Sequence, residues 1–205
     1  MKICVSALIL VGASFLAGCD NKPDAPFGLK WGQSVKETID QNLKGAKVDG
    51  DENLVVFIHA DSAPEPVQYR GRYFFVFSSG EGLTSASFST KVDENGVFFN
   101  EGRSVYDSIS KKLEDKYGPP KLINEKVNRD GPEFYSCIKE DGCGLWERSY
   151  RHDGMDIKLS VKPTPGKLMD GFAKAYINVE YEYLTEEMKK KMLDKMKKQN
   201  NSNNF

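Results

Sequence analysis

The run Gly32-Gln-Ser34-Val35-Lys-Glu37-Thr-Ile39-Asp-Gln-Asn-Leu43 returns as Gly102-Arg-Ser104-Val105-Tyr-Asp107-Ser-Ile109-Ser-Lys-Lys-Leu113, ungapped and at a constant offset of 70 residues. A shared frame constrains a chain strongly, because each copy is expected to fold as the same supersecondary unit. Chance convergence of two amphipathic helices is the blander reading, but the flanking glycines favour duplication. In each copy apolar residues fall at i, i+4 and i+8, one stripe of a helix. Each serine is followed three residues later by an acid, which completes a capping box; Glu37 fits better than Asp107. Lys44-Gly45 and Tyr117-Gly118-Pro119-Pro120 read as stops.

Strands are expected after each helix. In the first half they fall at 54–58, 72–77 and 83–92, with Pro64 and Pro66 breaking the chain and Asp93-Glu-Asn-Gly96 as a closing turn. In the second half, 121–127 and 145–151 are followed by 155–161 across Asp153-Gly154, a type I′ hairpin signal. Residues 175–183 alternate, with Ala175, Ile177, Val179, Tyr181 and Tyr183 on one face and Tyr176, Asn178, Glu180 and Glu182 on the other. A helix with one apolar stripe must cover a sheet. The expected fold class is therefore α+β: a tandem repeat of one helix plus about three antiparallel strands, helices packed on sheet, with a C-terminal basic helix. The two units, 27–100 and 101–184, either extend one sheet or pair as two lobes, and 185–205 form the tail.

Residues 1–18 carry one charge, Lys2, and an apolar run through Leu8, Ile9, Leu10, Val11, Phe15 and Leu16. A short positive end, a modest apolar core and small residues before a cut site read as a secretory signal, not a membrane span. The segment closes on Leu16-Ala17-Gly18-Cys19, which resembles the lipobox of bacterial prolipoproteins at every position. The resemblance implies a diacylglyceryl group on the Cys19 sulfur and cleavage before Cys19, which then becomes the acylated N-terminus. Each buried methylene contributes about 0.8 kcal/mol and stable anchoring takes about two chains, which such a cysteine supplies. In enteric lipoproteins an Asp directly after the lipidated cysteine is the inner-membrane retention signal. Asp20 stands there, so the resemblance implies the periplasmic side of the inner membrane, with the outer membrane as the alternative. Residues 19–26 form a lipidated polar linker whose seven residues after Cys19 reach at most about 25 Å.

Loss of residues 1–18 leaves 187 residues with 28 basic and 30 acidic side chains. That balance lacks the basic footprint of a nucleic-acid binder. Of four cysteines, Cys4 leaves with the signal and Cys19 takes lipid. Cys137 and Cys143 remain, around the turn-forming Asp141-Gly142. In an oxidising periplasm a short-range structural disulfide is the default, ahead of a redox pair or a metal site. The spacing is not Cys-x-x-Cys, and no histidine is near enough to suggest zinc. No metal and no cofactor are expected.

The two histidines, His59 and His152, lack motif partners. No nucleophile elbow, P-loop, dinucleotide fingerprint or metalloprotease motif occurs. Glu180 and Glu182 read as a solvated strand face rather than an acid/base pair. In the tail, Met188, Met192 and Met196 recur every fourth residue beside Leu193, and residues 185–198 hold six lysines against three acids. This helix packs on its own domain, lies on anionic lipid, or offers methionines to a partner groove.

Trp31-Gly32-Gln33-Ser34 before the first helix and Lys116-Tyr117-Gly118-Pro119-Pro120 after the second resemble motifs of a group of small, uncharacterised bacterial envelope proteins. The expected repeats are also similar in topology, though not in motif, to the beta-lactamase inhibitor proteins and to the small lipoprotein of the outer-membrane assembly machine. These resemblances imply a fold, not a reaction. The functional expectation is a non-enzymatic, lipid-anchored, periplasm-facing binding or assembly module of the cell envelope, of the inhibitor or immunity type. Its expected partners are the membrane, through the lipid anchor, and an envelope protein, with no nucleic acid. The alternative is an envelope enzyme acting on cell-wall material through an unrecognised site.

Overall fold

The computed structural model describes residues 22–41, 43–94, 98–163 and 175–202. Cys19, Asp20 and the signal segment lie outside the described residues. The first half contains α1 (Val35–Ile39), β1 (Lys47–Asp51), β2 (Val55–Ala60), β3 (Arg72–Ser78) and β4 (Gly82–Val92). The second contains α2 (Glu101–Tyr117), β5 (Leu122–Val127), α3 (Phe134–Lys139), β6 (Gly144–His152), β7 (Met155–Pro163) and β8 (Ala175–Glu182). A last helix, α4 (Glu186–Ser202), follows.

The strands build one antiparallel sheet in the order β1-β2-β3-β4-β8-β7-β6-β5. β4 and β8 meet at its centre, with Phe88 opposite Val179 and Ala86 opposite Tyr181. Period-two burial explains the registration: Ala175, Ile177, Val179 and Tyr181 are all buried, and a slip by one residue would turn them to the other face. Asp153 and Gly154, both at positive φ (47° and 79°), close the β6–β7 hairpin as a type I′ turn requires.

The tandem helix-plus-three-strand expectation is corrected by this topology. The first half has four strands, and the halves merge into a single sheet rather than standing as repeated units. The missed strand is β1, Lys-Val-Asp-Gly-Asp, wholly exposed at the sheet edge. An edge strand with both faces wet carries no apolar alternation to read. The two helices are not equivalent either: α1 has 5 residues and α2 has 17. Because α1 ends at Ile39, that side chain is 40% exposed rather than part of a buried stripe. Ser34 and Glu37 do form a reciprocal capping box. Ser104 instead lies inside α2, whose first turn begins at Glu101, so Ser104 and Asp107 cap nothing.

The cap of α2 comes from Asp93. Its carboxylate accepts the backbone N–H groups of Glu101 and Gly102, each at 2.9 Å, and the Tyr135 hydroxyl. Glu101 answers by accepting the Asp93 N–H at 3.2 Å. This is capping-box chemistry carried across eight residues of chain.

The core lies on one face. Phe27 makes edge contacts with Tyr73 and Tyr181, and α3 lays Phe134 against Phe99 (4.3 Å) and Trp146 (5.4 Å). Ile109 and Leu113 of α2 are buried in the same cluster. The opposite sheet face carries the stacked pair Phe57–Phe74, then Ser85, Ser87 and Ser89 beside Asn178, Glu180 and Glu182. The Trp31-Gly32-Gln33 stretch is a clamp. Trp31 stacks on Tyr183, Gly32 donates to the Leu83 carbonyl at 3.0 Å, and Leu83 donates back to Gln33 at 2.9 Å. A Cβ on Gly82 would lie 2.1 Å from the Gly32 carbonyl oxygen, so the close approach needs glycine there.

Candidate functional site

A cleft of about 360 Å³ opens between α2, the N-terminal turn at Pro26–Gly28 and the loop at 65–69. Its floor is the sheet centre: Phe88 from β4, and Val179 and Tyr181 from β8. Ile109, Leu113 and Tyr117 of α2 form one wall. The volume falls in the range of ligand pockets, which are mostly apolar with a few placed polar groups.

Phe27 sets the opposite wall. Its backbone adopts φ +66°, an uncommon conformation for a side-chain-bearing residue, which is held by the ring's contacts with Tyr73 (5.1 Å) and Tyr181 (5.6 Å). The Glu65 N–H donates to the Phe27 carbonyl at 3.0 Å, which seats the 65–69 loop on this turn. Three further bonds strap the loop down. The Val67 N–H donates to the Tyr73 hydroxyl (2.9 Å), the Tyr69 hydroxyl to Ser108 (2.9 Å), and the Lys112 ammonium to the Gln68 side-chain carbonyl (2.7 Å). The last two tie the loop to α2 across the cleft.

The polar groups of the cleft are Glu65, Gln68, Lys112, Lys116 and the tyrosines. Burial pushes the Tyr181 hydroxyl far above its usual range, helped by the neighbouring Tyr117. Burial also raises Tyr73, against the pull of the Val67 N–H. Both stay protonated around neutral pH and so are not bases there. Among the described lining residues there is no serine, threonine, cysteine or histidine. The arrangement can hold an apolar group, with the Lys112 and Lys116 ammonium groups beside its polar end.

The other residues singled out in the sequence lie elsewhere. A disulfide joins Cys137 and Cys143, with Cα atoms 5.0 Å apart, and fastens the end of α3 to the start of β6. Arg129 covers it, with its Nε 3.4 Å from the Cys143 sulfur and its guanidinium paired with Glu133 and Glu140. His59 is exposed on the sheet face opposite the core, its ring 4.7 Å from Phe74. His152 lies 3.3 Å from Asp153 at the β6–β7 turn. Glu180 and Glu182 share the sheet face opposite the core, where burial raises the Glu182 carboxyl against the pull of Lys189 on α4. Among the described residues, no cluster of three or more His, Cys, Asp or Glu side chains is placed to hold a metal ion.

A second polar cluster lies under α2. Arg148 binds Glu125 with both ends of its fork, at 2.5 and 3.1 Å, and donates to Ser110 at 2.6 Å. Ser110 also bonds the buried Tyr150 hydroxyl at 2.9 Å. Burial, followed by the Glu125 carboxylate, pushes the Tyr106 hydroxyl above its usual range. This network fixes α2 on β6 and so sets one wall of the cleft.

The sequence reading passed over Phe27, Tyr69 and Lys112. The 64–69 segment registered only as a proline break, although Val67 and Tyr69 alternate within it as residues half-buried against the core would. No protein-family model, curated protein or solved structure matches the chain.

Proposed function

We propose that this protein is a lipid-anchored binding module of the bacterial cell envelope, tethered through Cys19 and facing the periplasm. The observation that carries the binding role is the aromatic cleft between α2 and the Pro26–Gly28 turn, which offers apolar walls and two lysines. Its lining favours recognition over turnover, because a hydrolytic site needs a nucleophile or activated water beside a base. The sequence supports the address: Leu16-Ala17-Gly18-Cys19 marks the lipid site, and Asp20 favours the inner membrane over the outer. The partner is an envelope protein that inserts an apolar group with a polar or anionic end.

Photo-crosslinking in intact cells tests this. A crosslinking amino acid placed at Lys112 should trap one dominant envelope protein. Filling the cleft through Ile109→Trp, or through Val67→Phe if that variant fails to fold, should abolish the adduct while thermal unfolding stays cooperative. Adducts scattered over many proteins and indifferent to cleft filling would refute the proposal.

A further inference from the structure

The two ends of the described chain converge on one turn. At the N-terminal side, the Lys22 ammonium lies 2.9 Å from where a Gly32 Cβ would stand, and the Glu81 carbonyl lies 3.5 Å from that point. At the C-terminal side, α4 rests on the same β3–β4 turn. Lys191 is 3.5 Å from the Glu81 carboxylate, and Lys195 donates to the Ser79 carbonyl at 2.5 Å. Met188, on that side of the helix, is buried.

Asp20 and Asn21 alone separate Cys19 from Lys22, a backbone span of at most about 10 Å. Ala25 and Pro26 are already buried, so the seven-residue linker is not free over its whole length. With roughly 6 Å for the Lys22 side chain and the short gap from its ammonium to Glu81, a lipid on Cys19 places the bilayer surface within about 20 Å of the β3–β4 turn. That upper bound is about two Debye lengths at physiological salt, so the tether can bring the lysines of α4 up to an anionic leaflet.

The outward side of α4 suits that neighbour. Lys190, Leu193 and Lys197 follow at i, i+3 and i+7, all exposed, with Leu193 at 56%. The acids towards that side are Asp194 and Glu186, and Glu186 is paired with Lys189 at 3.1 Å. Residues 185–198 keep a net charge of about +3. Among the described residues no helix is long and apolar enough to cross a membrane.

We infer that α4 is a second membrane contact: a basic surface helix that lies against anionic phospholipid, with Leu193 entering the headgroup layer, and fixes the orientation of the tethered domain. This rests on the lipidation of Cys19, which provides the proximity; charge and one apolar side chain supply the contact.

The test uses the mature lipoprotein in vesicles. With Cys19 acylated and Cys137 bonded to Cys143, Leu193→Cys introduces a unique thiol for an environment-sensitive fluorophore. In vesicles with roughly one-third phosphatidylglycerol the emission should shift to the blue and strengthen about two-fold, and in purely zwitterionic vesicles it should not. Lys190→Glu with Lys197→Glu should reduce the contacting fraction roughly ten-fold. About 1 M salt, where the Debye length is about 3 Å, should reverse the shift while the protein still floats with the vesicles. Flotation at that salt without any dependence on anionic lipid overturns the α4 contact and leaves the anchor standing. A lipid-dependent shift in protein that detaches at that salt keeps the α4 contact and overturns the anchor.

Discussion

Removal of the Asp93 carboxylate should be among the most costly single changes in this protein. The side chain is only 6% exposed and serves three donors: the Glu101 and Gly102 backbone N–H groups and the Tyr135 hydroxyl. Loss of a helix N-cap costs about 1 kcal/mol. Loss of the negative charge at the helix N-terminus adds about 0.5–1 kcal/mol. The orphaned Tyr135 hydroxyl, which is buried, adds about 1–3 kcal/mol. The total for Asp93→Ala is about 2.5–5 kcal/mol, against about 1–2 kcal/mol for Asp93→Asn, which tolerates the positive φ and keeps one acceptor. Urea denaturation of the disulfide-intact mature chain measures both. A double-mutant cycle isolates the mechanism. Tyr135→Phe should cost about 1 kcal/mol in the native background, and once Asp93 is alanine it should instead recover about 1 kcal/mol or more by removing the orphaned hydroxyl. An Asp93→Ala cost below about 0.5 kcal/mol, or an unchanged Tyr135→Phe cost in the two backgrounds, would refute the non-local cap.

Reduction of Cys137–Cys143, which closes a separation of 6 residues, should cost about 2 kcal/mol. In a chain of this size that lowers Tm by about 4–8 °C, read by calorimetry with and without reductant. Arg148→Met should cost about 2 kcal/mol in chemical denaturation, because it leaves the Glu125 carboxylate under α2 without its guanidinium and Ser110 with only its bond to Tyr150. The pair of changes Glu125→Leu and Arg148→Met should cost less than the sum of the two singles. Burial raises Glu182, so the native state holds that proton more tightly than the unfolded chain. Its favourable contribution is complete below the ordinary value of 4.5 and is lost as pH rises through the higher folded value. Glu182→Gln should therefore stabilise at pH 7 by a few tenths of a kcal/mol, since much of the side chain is solvated, and the gain should fade on acidification towards pH 4.5, followed by melting across that range.

Local chemistry was legible in the sequence; topology was not. The Ser34–Glu37 cap, the Asp153-Gly154 hairpin and the alternation of β8 each lie within one short stretch, and each formed where the residues pointed. β1 escaped because all five of its residues are solvated and a single apolar side chain, Val48, makes no alternating pattern. The cap of α2 escaped because Asp93 lies eight residues before Glu101, while a complete but idle serine–acid pair stands inside the helix. The cleft escaped for a similar reason. Phe27, Tyr69, Ile109 and Tyr181 come from four separate parts of the chain, and only the central pairing of β4 with β8 brings their elements together. The shared 70-residue frame misled because spacing alone does not fix helix length. Asp40 ends α1 where the second copy runs on to Tyr117.

The functional proposals all depend on a tether at Cys19, and intact mass spectrometry of the protein extracted from membranes measures it directly. The expected mass is that of a chain beginning at Cys19 plus a diacylglyceryl group. Recovery of the protein from the osmotic-shock fluid with an unmodified amino end would contradict it.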